Sequence, residues 1–371
     1  MIDELKLHDK VFLKNWIESN ADNSIKFINL EREIFAFCLL EKLIQTKVDF
    51  IFKGGTALIL LLEDTKRFST DIDILISKPS MEILEELFDS FVNKDAIFTR
   101  WEEDIRPESK FPKAHYKFYF DAMYKNDNQD GYILLDAVFE KNPYMSLESK
   151  LIQNYILPTK EPYEKVILPS TTDIMIDKLT AFAPNTIGVK FERKSKSGLI
   201  TDHSREVVKQ WFDVSELFQK CDNFQELNSR YIKLSSFEIE QRELNDDYLS
   251  CLTDTLKIVL NYLSRGQRDV STNEKTKKGI RRLNAFVNIE LTDSYFISAS
   301  VDVVDLISKV LCDNLGAYNE IFEKSKKEFP YEKFLKHYDV KNIVDLVRVN
   351  NKSDRDRFVL ALRVISNFID F

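Results

Sequence analysis

Two aspartates separated by one apolar residue, Asp71-Ile72-Asp73, lead into Ile74-Leu75-Ile76 and follow shortly after Phe52-Lys53-Gly54-Gly55-Thr56. Alternation along an extended strand puts both carboxylates on one face. Neighbouring carboxylates repel unless a cation neutralises them, and Mg2+ takes carboxylate oxygens at about 2.0 to 2.1 Å while keeping substrate phosphates as further ligands. The Gly-Gly pair is the complementary half. Without a Cβ, backbone amides approach a phosphate closely, and the apolar run Ala57 to Leu62 reads as a helix whose free N–H groups and positive dipole end add to the same pocket. Each signal also has a plain structural reading, a tight turn for Gly-Gly and surface charge for Asp-x-Asp. Strand, glycine turn, helix and acidic strand within one short stretch require a compact unit whose parts converge.

Around that unit the chain reads as three regions. Residues 1–48 carry helical spacing, with Phe27, Leu30, Ile34, Phe37, Cys38 and, past a polar interruption at Glu41, Ile44 on one stripe. They are expected to pack on the catalytic sheet. From 49 to about 140 strands dominate. Asp49 to Phe52 leads into the glycine turn, Ile72 to Ile76 forms the acidic strand, and Met81 to Val92 reads as a helix. The apolar runs His115 to Met123 and Tyr132 to Phe139 flank a polar segment ending in Asp130-Gly131, which predicts a hairpin. Within its second arm Asp136 sits among Leu135, Ala137 and Val138, where an ionised carboxylate is costly unless paired or metal-bound. Asp136 is therefore the candidate third carboxylate, against an edge-strand acid facing water, with Asp121 a weaker substitute. From about Ser170 the pattern turns helical and stays so to the end. The expected domains are residues 1–48, a central domain over 49–220 and a helical domain over 221–371.

Composition narrows the function classes. At 371 residues the chain is long for one core, and about two to three domains are expected. Cys38, Cys221, Cys251 and Cys312 lie far apart with no Cys-x-x-Cys pair, which argues for buried reduced thiols over a zinc ribbon or a disulfide framework. The N-terminus lacks a basic start with an apolar core, and no apolar run is long enough to span a bilayer, so a cytoplasmic location and no membrane partner are expected. Net charge is −8, so any polyanion contact must be local. Two basic clusters could supply it: Arg193-Lys194 with Lys196, and the series from Arg265 and Arg268 through Lys275, Lys277, Lys278, Arg281 and Arg282. Each taken singly also reads as a solvated face. His8, His115, His203 and His337 show no i, i+4 pairing, and neither a Gly-x-Ser-x-Gly nor a Walker ending is present.

At the glycine and aspartate blocks the chain resembles a known family. Lys53-Gly54-Gly55-Thr56-Ala57-Leu58 followed by Arg67-Phe68-Ser69-Thr70-Asp71-Ile72-Asp73 is similar to the AbiEii/AbiGii toxins, nucleotidyltransferases of the DNA polymerase β-like superfamily. Asp177-Lys178-Leu179-Thr180-Ala181-Phe182-Ala183 resembles the family's lysine motif, and Val208-Lys209-Gln210-Trp211-Phe212-Asp213-Val214 its last, aspartate-bearing motif. The resemblance runs from about Phe52 to Phe218. It implies an α+β fold, a polymerase β-like nucleotidyltransferase domain with a small mixed sheet flanked by helices; the all-helical C-terminal region that follows is read from the apolar spacing alone. It also implies Mg2+-dependent transfer of NMP from NTP, with tRNA 3′ ends as acceptor, in a toxin–antitoxin or abortive-infection (phage defence) system with a cognate antitoxin. On that basis Asp71, Asp73 and Asp136 hold metal, Lys53, Gly54, Gly55, Thr56 and Ser69 bind nucleotide, Lys178 supplies a cation for phosphate charge, and Asp213 orients it or the acceptor. Without the resemblance, Lys178 and Asp213 read as surface groups on amphipathic helices. A protein acceptor and a non-catalytic NTP- or partner-binding module remain open alternatives.

Overall fold

The structure is a computed structural model that describes residues 1–371 except 23, 65, 94–95, 106–111, 126–129, 196–197, 313–338 and 370–371. Lys196 and most of the polar segment before Gly131 thus lie outside the described residues. The chain forms two compact units, the first comprising Met1–Asn142, Ser146–Ser170 and Ala285–Ile289, the second Pro143–Met145, Thr171–Asn284 and Glu290–Phe371.

The first unit is a mixed sheet with helices on its apolar face. Its elements are α1 (Glu4–His8), α2 (Lys10–Asn20), α3 (Ser24–Gln45), β1 (Ile51–Lys53), α4 (Leu58–Leu61), β2 (Ile72–Leu75), α5 (Lys78–Glu86), β3 (Arg100–Glu103), β4 (Lys113–Phe120), β5 (Gly131–Val138), β6 (Leu147–Leu151) and β7 (Lys165–Pro169). Five strands order as β1-β2-β5-β4-β3, and β6 and β7 form a separate pair. β2 and β5 run parallel, while β1–β2, β4–β5 and β3–β4 are antiparallel. The expected hairpin is β4–β5. Burial alternates strictly along β5, so Ile133, Leu135 and Ala137 face the core while Asp136 faces the other side. β5 lies between β2 and β4, which removes the edge-strand reading of Asp136. Asp121, past the far end of β4, is exposed and paired with Lys10 and Lys125.

α3 is the helix on which this sheet depends. The sequence predicts one apolar stripe; instead every residue from Glu33 to Glu41 is buried, as befits a helix enclosed on all sides. Phe35 stacks on Phe120 at 4.0 Å between centroids, and Phe37 meets Phe52 edge-on at 6.3 Å. Three glutamates inside this apolar helix each accept backbone amides from distant segments. Glu31 takes those of Met123 and Tyr124, Glu33 that of Ser69, and Glu41 that of Ile2. Buried acceptors are tolerated there because they satisfy N–H groups of chain turns that no strand or helix pairs.

The second unit is helical, with one exception. It contains α6 (Thr171–Ala181), β8 (Glu192–Lys194), β9 (Ile200–Asp202), α7 (Ser204–Lys220), α8 (Leu227–Gln241), α9 (Tyr248–Leu263), α10 (Val270–Leu283), α11 (Asp293–Leu311), α12 (Val340–Asn350) and α13 (Lys352–Ile365). The β8–β9 hairpin overturns the expectation of unbroken helix after Ser170. Its strands are short and exposed, with Ile200 their one apolar residue, so they lack the apolar alternation that marks a half-buried strand. α7 packs against α6, α10 and α11. At its centre Trp211 is fully buried, stacked on Phe182 and edge-on to Tyr262 and Phe296. Gly279 lets α10 approach α7 closely, since a Cβ there would lie 2.3 Å from the Ser204 carbonyl oxygen. Side-chain N-caps start most of the later helices: Asp247, Asp269, Thr292, Asp339 and Asn351. α13 docks on α11. All four cysteines are buried and free, and no helix among the described residues is long and apolar enough to cross a membrane.

Candidate active site

One row across the sheet of the first unit brings together residues far apart in sequence. Lys53 on β1 is the cross-strand partner of Asp73 on β2, Asp73 of Asp136 on β5, and Asp136 of His115 on β4. Partners in register share a face, and this is the face turned away from Phe52, Ile74, Leu135 and Tyr116. Asp71 stands two residues before Asp73, exposed at the entry to β2. His115 Nδ1 lies 2.6 Å from Asp136 Oδ1, so the ring donates to the carboxylate and fixes its rotamer. Sequence reasoning set His115 aside for want of a second histidine. The usable signal was strand alternation, which places it opposite Asp136.

The turn after β1 folds down onto Asp73. Gly54 has φ +82°, and a Cβ built on it would lie 2.0 Å from Asp73 Oδ2. Only glycine both adopts that backbone and leaves the carboxylate its place. The helix that follows is shorter than the apolar run suggests: α4 is a single turn, Leu58–Leu61, and Leu62 is already extended. A one-turn helix has almost no aligned dipole, so any anion site here rests on the turn's own amides. Thr56 is fully buried; its hydroxyl donates to the Asp71 carbonyl oxygen at 2.5 Å and lies 2.9 Å from Ser69 Oγ. Thr56 and Ser69 thus brace the glycine turn against the start of β2, and their hydroxyls are engaged with protein partners.

Beneath that brace sits Glu33, which sequence reasoning did not single out. Its Oε2 accepts the Ser69 amide at 2.9 Å, and its Oε1 is buried without a hydrogen-bond partner. Burial raises its carboxyl to about 8, against the opposing pull of the Ser69 amide and the Arg67 guanidinium. An acid raised on folding contributes most stability below its ordinary value of about 4.3 and loses it as pH climbs through the folded value. Glu33→Gln keeps an acceptor for Ser69 and removes the titration. The variant is expected to gain on wild type by a few kcal/mol between about pH 5 and pH 8.5. Urea unfolding at both pH values checks this, and an unchanged difference would rule it out.

Whether a metal suits this face is a question of donor chemistry. Asp71, Asp73 and Asp136 offer only carboxylate oxygen, the donor Mg2+ prefers, and Mg2+ is commonly held by one or two carboxylates plus substrate phosphates. Among the described residues no three His, Cys, Asp or Glu side chains are gathered as a self-sufficient metal cage. The residues fit an ion that arrives with a nucleotide better than a resident structural metal.

The second unit joins the remaining two candidates. Lys178 on α6 and Asp213 on α7 face each other with Nζ 3.8 Å from Oδ2, and their side chains are 8% and 1% exposed. Neither is the surface group that an amphipathic helix suggests. One turn earlier on α6, Asp173 accepts from the Arg230 guanidinium and from the Met145 amide, a second buried ionic contact.

No curated protein matches this chain. Among solved structures, JHP933 from Helicobacter pylori is 14% identical with a TM-score of 0.29, over 69% of this chain and 97% of that one. A second H. pylori structure, described as a candidate nucleotidyltransferase, is 14% identical with a TM-score of 0.27, over 65% of this chain and 95% of that one. A family model for the nucleotidyl transferase AbiEii toxin of type IV toxin–antitoxin systems matches residues 39–261, a span that contains both the acidic row and the buried lysine–aspartate pair. The chain belongs to the AbiEii nucleotidyltransferase toxin family.

Proposed function

We propose that this protein transfers NMP from Mg-NTP to the 3′ end of tRNA, acting in the cytoplasm as a toxin countered by a cognate antitoxin, with phage defence as its setting. The observation that carries the reading is the Gly54 turn seated on Asp73 beside Asp136, a glycine turn and carboxylates brought to one strand end. In this reading residues 49–220 carry the chemistry. Asp71, Asp73 and Asp136 would hold the metal. An ion bound there would supply charge to polarise the α-phosphate and to neutralise the departing pyrophosphate.

The chain's own groups do the positioning. Amides of Gly54, Gly55 and Thr56 would hold the β and γ phosphates, with the Ser69 and Thr56 hydroxyls keeping the turn in place. Lys53 adds a cation beside Asp73, and His115 holds Asp136 in one rotamer. Lys178 would meet phosphate charge that grows in the transition state, oriented by Asp213. The acceptor hydroxyl oxygen attacks the α-phosphorus, its proton passing to solvent, and the α–β phosphoanhydride bond breaks to release pyrophosphate.

The test is incubation of purified protein with Mg2+, each of the four α-labelled NTPs and total tRNA, beside Asp71→Ala and an EDTA arm. Label on RNA is expected from the wild type alone, and none with EDTA. Label on protein would replace the acceptor, and tight NTP binding with no label anywhere would overturn catalysis.

A further inference from the structure

The two basic clusters are some eighty residues apart in sequence, and each alone looks like a solvated face. In the second unit they are brought together. Lys275 on α10 pairs with Glu192 on β8 at 3.0 Å, and Lys278 and Arg282 converge on Asp202 of β9 at 2.5 and 2.8 Å. Glu192 and Asp202 are themselves cross-strand partners, a like-charge pairing that would destabilise an isolated hairpin. The α10 cations remove that repulsion and fasten the hairpin to the helix.

The pairing has a second effect. Glu192 and Asp202 are consumed within the surface, and Glu274 is taken by Lys277. Arg193, Lys194 and Arg281 are left exposed and pair with no carboxylate among the described residues. Arg193 faces away from Glu192 and Lys194 along β8, so cations stand on both sides of the hairpin. At Gly198, φ is +86° and nothing among the described residues lies within 4 Å of where a Cβ would sit.

We infer that the β8–β9 hairpin and α10 form a docking surface for an RNA phosphate backbone, through Arg193, Lys194 and Arg281. This rests on the RNA-acceptor reading above and adds to it the place where the acceptor is held. The observations favour RNA over an acidic protein. The unpaired groups are long, exposed cations with no aromatic side chain among them, which suits phosphates tracked by charge. A protein partner would more often find buried aromatic anchors at the centre of its site.

The experiment uses the full chain without NTP and a fluorescein-labelled tRNA transcript, titrated at several salt concentrations by anisotropy. Arg193→Glu, Lys194→Glu and Arg281→Glu are combined in one variant, with the corresponding glutamine triple as a milder companion. None of the three makes an ion pair with a carboxylate among the described residues, so thermal unfolding should not move. The reversal variant is expected to bind tRNA at least about tenfold more weakly, with a salt dependence reduced by about two ions, and the glutamine triple to fall between. NTP binding should be unchanged in both.

Unaltered tRNA affinity and salt slope in the reversal variant would overturn the surface, even if label is still transferred to tRNA. Wild type that binds no tRNA would overturn it as well. Salt-dependent binding lost in the variant, in a protein that transfers no label, would uphold the surface while the catalytic reading fails.

Discussion

Gly54→Ala is expected to reduce nucleotidyl transfer by at least about a hundredfold and to destabilise the first unit by a few kcal/mol. Two separate costs meet at this position. With φ at +82° the backbone lies where a Cβ crowds the following carbonyl, a strain of about 1–2 kcal/mol. The larger cost is steric. The new methyl would stand 2.0 Å from Asp73 Oδ2 and 2.7 Å from its Cγ, so the carboxylate must swing away or the turn must lift off β2. Either movement displaces a proposed metal ligand by about the ångström that is enough to lose two orders of magnitude in rate.

Gly198→Ala separates the two costs. Gly198 has nearly the same φ, +86°, but nothing among the described residues lies within 4 Å of its Cβ position. Its alanine variant should show backbone strain alone, with transfer from NTP unaffected. Unfolding midpoints and initial rates of label transfer for both variants decide the matter. If Gly54→Ala retained wild-type transfer, the close seating of the turn on Asp73 would have no part in the chemistry.

What was legible in the sequence follows from what is local. The β4–β5 hairpin and the acidic strand are encoded in alternation over a few residues, and the structure has both. The apolar run Ala57 to Leu62 looked like a helix because six apolar residues fit either a helix or a buried segment; only tertiary packing ends it after one turn at Leu61. β8 and β9 could not be seen for the opposite reason. Neither packs a face on the core, so Glu192-Arg193-Lys194 carries no apolar period, and the hairpin's ties are to α10.

Buried polar groups were the hardest to read. Glu33 closes the charged triplet Glu31-Arg32-Glu33, which reads as a solvated face, and its reason for being buried is a backbone amide at Ser69, thirty-six residues away. Asp136 was legible because one acid among valine and leucine demands a partner, yet the partner, His115, came from the neighbouring strand. Lys178 and Asp213 were found through resemblance; composition alone assigns such residues to a helix surface, where neither is.

Removing the charge of Asp213 alone is expected to cost about 3–5 kcal/mol of stability, more than removing both members of the pair. Lys178 is 8% exposed and Asp213 1%. Asp213→Asn preserves shape but leaves the Lys178 ammonium in a region of low dielectric without its counter-charge. Lys178→Met with Asp213→Asn removes both charges at nearly constant volume, and such a replacement is often close to neutral. Urea unfolding of wild type, the two single variants and the double variant therefore forms a cycle in which the double should be more stable than Asp213→Asn. Simple additivity of the two losses would show that the charges do not interact at 3.8 Å. Transfer activity reads the other half. If Lys178 meets the phosphates, the double variant regains stability but not transfer, whereas a pair that only holds α6 to α7 would let activity return together with the fold.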